Sequence, residues 1–145
     1  MKLDKFEFPD DLLYMRGHVW VRMGGNEAKL GITSLGSSLA KEIVHVDLPE
    51  NNEEFEALEP IASFETIKSV TEISAPFDCK VTEVNEKLLD DPSLINSDCY
   101  GDGWILKLKI VGKKDNENLM GIKEAAEYYE KILGKEKERY KGIYE

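Results

Sequence analysis

The stretch Ile61-Ala-Ser-Phe-Glu-Thr-Ile67, then Lys68-Ser69, then Val70-Thr-Glu-Ile-Ser74 reads as two short strands with only two residues between them. Both runs are rich in β-branched and aromatic side chains, and so short a gap joins antiparallel neighbours. Tips of that length normally use Asn-Gly or Gly-X, which accept positive φ. Here the tip is Lys-Ser, flanked by Ile67 and Val70. A lysine in that position points its amine into solvent, where a modifying enzyme can reach it. The same residue also reads as an ordinary surface lysine, and spacing alone leaves the two open.

Working outward, the chain continues as short strands broken by turns. His18 to Met23 alternates, with Val19, Val21 and Met23 on one face. Gly24-Gly25-Asn26 is a hairpin turn and Glu27 to Ile32 the return strand. Ser34 to Lys41 reads as helical, with Thr33 or Ser34 as N-cap. Ile43 to Leu48 is a strand stopped by Pro49, and residues 51–59 are an acidic loop. Lys80 to Val84 alternates again; a short helix near 86–91 leads into a loop, and Trp104 to Ile110 is the last strand. Many short strands at close spacing imply an all-β barrel or sandwich. Leu119, Ile122, Ala126, Tyr129 and Ile132 then share one helical face, which predicts a C-terminal helix over about 118–133, capped by Asn118 and ended by Gly134. Residues 135–141 read as a charged, solvated continuation. The expected organisation is a β domain over residues 1–112, with residues 113–145 as a helix and charged tail packed on it.

Composition narrows the function. The chain has 145 residues, 19 basic and 29 acidic, for a net charge of −10. Residues 113–145 carry eight of each sign, so the whole excess lies in residues 1–112. Such a body repels phosphate backbones and suits docking on basic patches of partner proteins, or simply solubility. No apolar run approaches the length of a membrane span, and the N-terminus has acids where a signal peptide is apolar. The expectation is a cytoplasmic protein, or one of the mitochondrial matrix if a transit peptide has been removed. Two cysteines, Cys79 and Cys99, and two histidines, His18 and His45, give neither a disulfide framework nor zinc spacing. No catalytic residue and no metal site is expected.

The run Glu65-Thr-Ile-Lys68-Ser-Val-Thr-Glu72-Ile-Ser-Ala-Pro76 resembles the lipoyl-lysine hairpin of the glycine cleavage system H protein, whose usual pattern is Glu-Ser-Val-Lys-Ala with an acid four residues on. His18-Val-Trp20, Gly31-Ile-Thr33, Val46-Asp-Leu-Pro49, Glu83-Val-Asn-Glu86, Leu94-Ile-Asn96 and Tyr100-Gly-Asp-Gly-Trp104 resemble further family segments in order, over about residues 16–133. Biotin carriers flank their lysine with methionines, which are absent here. Lipoyl domains of 2-oxoacid dehydrogenases usually have Asp before the lysine and lack the His-x-Trp start.

The resemblance implies a mainly β barrel-sandwich hybrid and a non-catalytic, monomeric carrier. Lipoic acid is implied as an amide on Lys68, with Glu65, Ile67, Ser69 and Glu72 as motif and docking flank. The arm is then implied to shuttle an aminomethyl intermediate between glycine decarboxylase, aminomethyltransferase and dihydrolipoyl dehydrogenase, after attachment by lipoylation enzymes. Two positions depart from the pattern. Val19 stands where the family has Glu, and Leu35 where it has His; in the family these two line the groove that holds the arm. Either the change is tolerated drift, or the chain is an H-like paralogue carrying sulfur intermediates for a heterodisulfide-reductase-like system. Cys79 and Cys99 stand at usual Gly and Pro positions and read as small apolar fillers, with redox exchange the other reading.

Overall fold

The computed structural model describes residues 1–112 and 117–139. The chain runs β1 (Lys2–Leu3), β2 (Phe6–Glu7), β3 (Leu13–Met15), β4 (Val19–Gly24), β5 (Glu27–Ile32), α1 (Ser34–Ala40), β6 (Ile43–Asp47), β7 (Glu54–Phe55), β8 (Pro60–Thr66), β9 (Val70–Ser74), β10 (Cys79–Val84), α2 (Lys87–Asp90), α3 (Leu94–Ser97), β11 (Leu106–Ile110) and α4 (Ile122–Arg139). The fold is mainly β, with short helices and one C-terminal helix. All pairings between the strands are antiparallel, in sheets ordered β1-β2, β3-β4-β5-β11-β10-β7 and β6-β8-β9. The six-stranded sheet ends on β3 and β7, so it stays open and does not close into a ring.

The two larger sheets share one core. Val19, Val21, Leu30, Val81 and Leu108 from the six-stranded sheet meet Ile43, Val46, Ile61, Phe64 and Ile73 from the three-stranded one. A second core lies on the other side of β4. There Trp20 joins Phe6, Phe8, Leu12, Tyr14 and Leu35 beneath Ala125 and Tyr129 of α4. The period-2 alternation of β4 therefore separates two apolar layers, where an ordinary half-buried strand separates core from solvent.

The motifs around Trp20 are packing devices. Trp20 pairs with Gly31 across β4 and β5, and a Cβ on Gly31 would lie 2.7 Å from the indole. The indole N–H donates to the Cys99 carbonyl at 2.9 Å. Thr33 caps α1 by accepting from the Gly36 amide at 3.0 Å. His18 sits in the turn before β4 with φ 67°, and its ring stacks on Tyr129 at 5.8 Å between centroids.

Several boundaries depart from the sequence reading. Helix α4 begins at Ile122, and Asn118 does not cap it, because Met120 is held extended: it exchanges backbone bonds of 2.8 and 2.6 Å with Tyr14 of β3. Gly134 does not end the helix, which runs to Arg139. Gly134 has no positive φ and nothing within 4 Å, so it is a tolerated exposed helical glycine. The buried centre of the face is Ala125 and Tyr129, with Ala126 half-buried. Residues 140 and 141 of the expected continuation lie outside the described residues. Strand β11 starts at Leu106, because the Trp104 carbonyl is taken by the Asn85 side chain at 2.7 Å. Within the acidic loop, Glu54 and Phe55 form an edge strand on β10. Helix α3 occupies what read as loop, and β1 to β3 lie in a segment where no strand was read. No helix among the described residues is long and apolar enough to cross a membrane.

Candidate functional site

The β8–β9 hairpin places Lys68. Its register pairs Glu65 with Val70, Phe64 with Thr71 and Ser63 with Glu72. Strand β8 ends at Thr66, so Ile67 belongs to the tip and not to the strand, and four residues, Thr66 to Ser69, separate the last register pair, Glu65 and Val70. A four-residue loop needs no Asn-Gly pair, and no tip residue has positive φ. Thr66 organises it. Its amide donates to the Ser69 carbonyl at 2.9 Å. Its Oγ1 accepts from the amides of Lys68 at 3.3 Å and Ser69 at 3.2 Å. The sequence reading passed over Thr66. The available signal was a hydroxyl residue two places before the lysine, the arrangement of a Ser/Thr turn.

The tip is open. Lys68 and Ser69 are exposed, and among the described residues no carboxylate forms a salt bridge with the Lys68 amine. Two apolar side chains flank it in solvent, Ile67 at 83% and Val70 at 62% exposure. Glu72 is exposed and Glu65 half-buried. In each strand, residues two apart share a face, so Glu65, Val70 and Glu72 share one face of the hairpin. Farther along that sheet, a groove of about 370 Å³ is lined by Asp47, Glu53, Phe55, Ile61, Ser63 and Glu72 among others. The structure thus brings one acid of the 50–59 loop beside the acid of the lysine motif.

Val19 and Leu35 are not brought to the lysine tip. Val19 is 3% exposed in the core between the sheets, and Leu35 is 1% exposed in the second core, beneath α4. Cys79 and Cys99 are both free and buried. Burial pushes the Cys79 thiol up to about 12 and the Cys99 thiol up to about 11. Cys79 lies within β10 without positive φ, so a side chain at this usual glycine position carries no backbone strain. A neutral, enclosed thiol is a poor nucleophile, which matches the filler reading.

Fold and site together define a class: small antiparallel β proteins that present a lysine at the apex of a hairpin. The family model described as "Glycine cleavage H-protein" matches residues 12–132. The chain is similar to the glycine cleavage system H protein of Halothermothrix orenii, at 37% identity over 86% of this chain and 97% of that one. It is similar to the glycine cleavage system H protein 4 of Aquifex aeolicus, at 39% identity over 88% of this chain and 75% of that one. The crystal structure of a glycine cleavage system H protein from Mycobacterium marinum superposes with a TM-score of 0.76 at 30% identity, covering 84% of this chain and 98% of the other. The chain belongs to the glycine cleavage H-protein family.

Proposed function

We propose that the chain is a lipoyl carrier of a glycine cleavage system, modified through an amide on Lys68 Nζ. The observation that carries this reading is the exposed, unpaired Lys68 amine on a loop fixed by Thr66, in a chain of this family. The fit to an acyl group is direct: acylation removes one positive charge, and no salt bridge has to be broken. Once attached, lipoate supplies a strained cyclic disulfide at the end of a flexible arm, open to nucleophiles.

The chain's own residues present and orient; they do not catalyse. Ile67 and Ser69 give lipoylation enzymes a surface to read beside the amine. Glu65 and Glu72, with the acids of the groove, favour docking on basic patches of glycine decarboxylase, aminomethyltransferase and dihydrolipoyl dehydrogenase. The carrier body is taken as residues 1–112, with α4 (Ile122–Arg139) as a helical cover on it. The working form is a cytoplasmic monomer.

The H-like carrier of sulfur intermediates is the second reading. It is favoured by Val19 and Leu35, apolar and buried where the family has Glu and His. One assay separates the two: exchange of labelled bicarbonate into glycine by a glycine decarboxylase, with the lipoylated protein beside an H protein of established activity. Comparable exchange supports glycine cleavage. A protein that is fully lipoylated yet supports no exchange supports the sulfur reading.

A further inference from the structure

The sheet that carries Lys68 also gathers three ligand-type side chains. His45 and Asp47 lie two apart on β6 and share a face. Glu65 on β8 is the register partner of His45. His45 Nε2 lies 3.0 Å from Asp47 Oδ1, and ligating atoms of His45, Asp47 and Glu65 all fall within 4.8 Å of one another. Among the described residues, no lysine or arginine forms a salt bridge with Asp47 or Glu65. Two carboxylates therefore converge on one imidazole, and the described residues supply no other cation to them.

The geometry points to a divalent transition-metal site of the zinc class formed by His45, Asp47 and Glu65. One imidazole nitrogen with two carboxylate oxygens suits Zn²⁺, whereas Mg²⁺ and Ca²⁺ prefer oxygen donors throughout. Tetrahedral ligands at zinc distances stand about 3.4 Å apart. The His45–Asp47 pair, at 3.0 Å, is already near that spacing, and Glu65 offers a ligand atom within 4.8 Å of both, its backbone fixed by the β6–β8 ladder. Three protein donors leave a fourth position for water. Linear spacing could not show this site, because Glu65 lies 20 residues beyond His45 and meets it only through strand register. The site does not depend on modification of Lys68.

The test uses the full chain, stripped of metal and titrated with zinc chloride, read by calorimetry and by the ring ¹⁵N resonances of the two histidines. One equivalent should bind and shift His45 while leaving His18 in place. His45→Ala and Glu65→Gln should each weaken zinc binding by about tenfold or more, since loss of even an outer partner of a metal site costs 10- to 100-fold. Glu86→Gln, an exposed acid outside the cluster, should change nothing, and magnesium chloride should leave His45 unshifted. Zinc affinity unchanged in both cluster variants overturns the site. So does a His45 resonance that does not move on saturation.

Discussion

Thr66 Oγ1 accepts a hydrogen bond from the amide of Lys68 at 3.3 Å, so the residue offered to solvent is held by a hydroxyl two positions before it. The same oxygen takes the Ser69 amide at 3.2 Å. Thr66→Val keeps the shape and removes both acceptor contacts. Because the loop is exposed, unfolding free energy should change by less than about 1 kcal/mol. The rate of lipoylation, followed by intact mass over time, should fall several-fold, and Thr66→Ser should restore it. Equal rates for the threonine and valine forms would remove Thr66 from the account.

Gly31 is the position where the Trp20 indole needs room. Gly31→Ala places a methyl 2.7 Å from the ring, and overpacking of this kind costs about 1–3 kcal/mol. Gly24→Ala, one turn of the hairpin away, meets nothing within 4 Å and should be close to neutral. Urea denaturation of the two variants should separate them clearly. Equal midpoints would mean that the indole is free to shift.

How far the sequence discloses this molecule depends on the range of each signal. The lysine hairpin is legible, because two β-rich runs so close in sequence fold back on each other, although its loop takes in Ile67 as well as Lys68 and Ser69. Thr33 at the start of α1 and the turn read at Gly24-Gly25-Asn26 are equally local, although Gly24 ends β4 and the turn itself is Gly25-Asn26. Strands β1 to β3 are two or three residues long, too short to show a period. Asn118 and Gly134 carry good cap chemistry, yet the bridge between Met120 and Tyr14 fixes where α4 can begin. Val19 was readable as inward-facing, but two cores, one on each side of β4, cannot be inferred from alternation. The meeting of His45 with Glu65 depends wholly on register.

The buried thiols make stability depend on alkaline pH. Cys79 and Cys99 are raised from an ordinary value of 9.0 to about 12 and about 11, chiefly by burial. The folded state favours the neutral thiol, so this stabilisation is complete below about pH 9 and is lost as pH rises through the folded values. The buried phenols of Tyr14 and Tyr129 and the half-buried phenol of Tyr100, also raised by burial, act in the same direction at higher pH. The urea midpoint should fall between about pH 8 and about pH 10.5, and less steeply in the double variant Cys79→Ala, Cys99→Ala. Identical slopes would show that the thiols are not the titrating groups. In native protein at neutral pH both thiols should react slowly with a thiol reagent, and rapidly after unfolding.

Val19 lies 3% exposed among apolar side chains. Val19→Glu, which would reproduce the family pattern, puts a carboxylate into that core. It should destabilise by about 3 kcal/mol or more unless the group stays protonated, so the loss should be smaller at pH 4 than at pH 7. Denaturation at the two pH values measures this. A variant as stable as wild type at pH 7 would show that the site opens to water, and would return Val19 to the groove of the family pattern.

Lys68 alone should accept the lipoyl group. Wild type and Lys68→Arg should be produced with a lipoylating enzyme and lipoate, then compared by intact mass and peptide mapping. Arginine keeps the charge but has no nucleophilic amine at usable pH, and an exposed tip should tolerate it without loss of fold. One lipoyl group is expected per wild-type chain, on Lys68, and none on the variant. A lipoyl group mapped to any other lysine, or a wild type that stays unmodified beside a lipoylated control H protein, would contradict it.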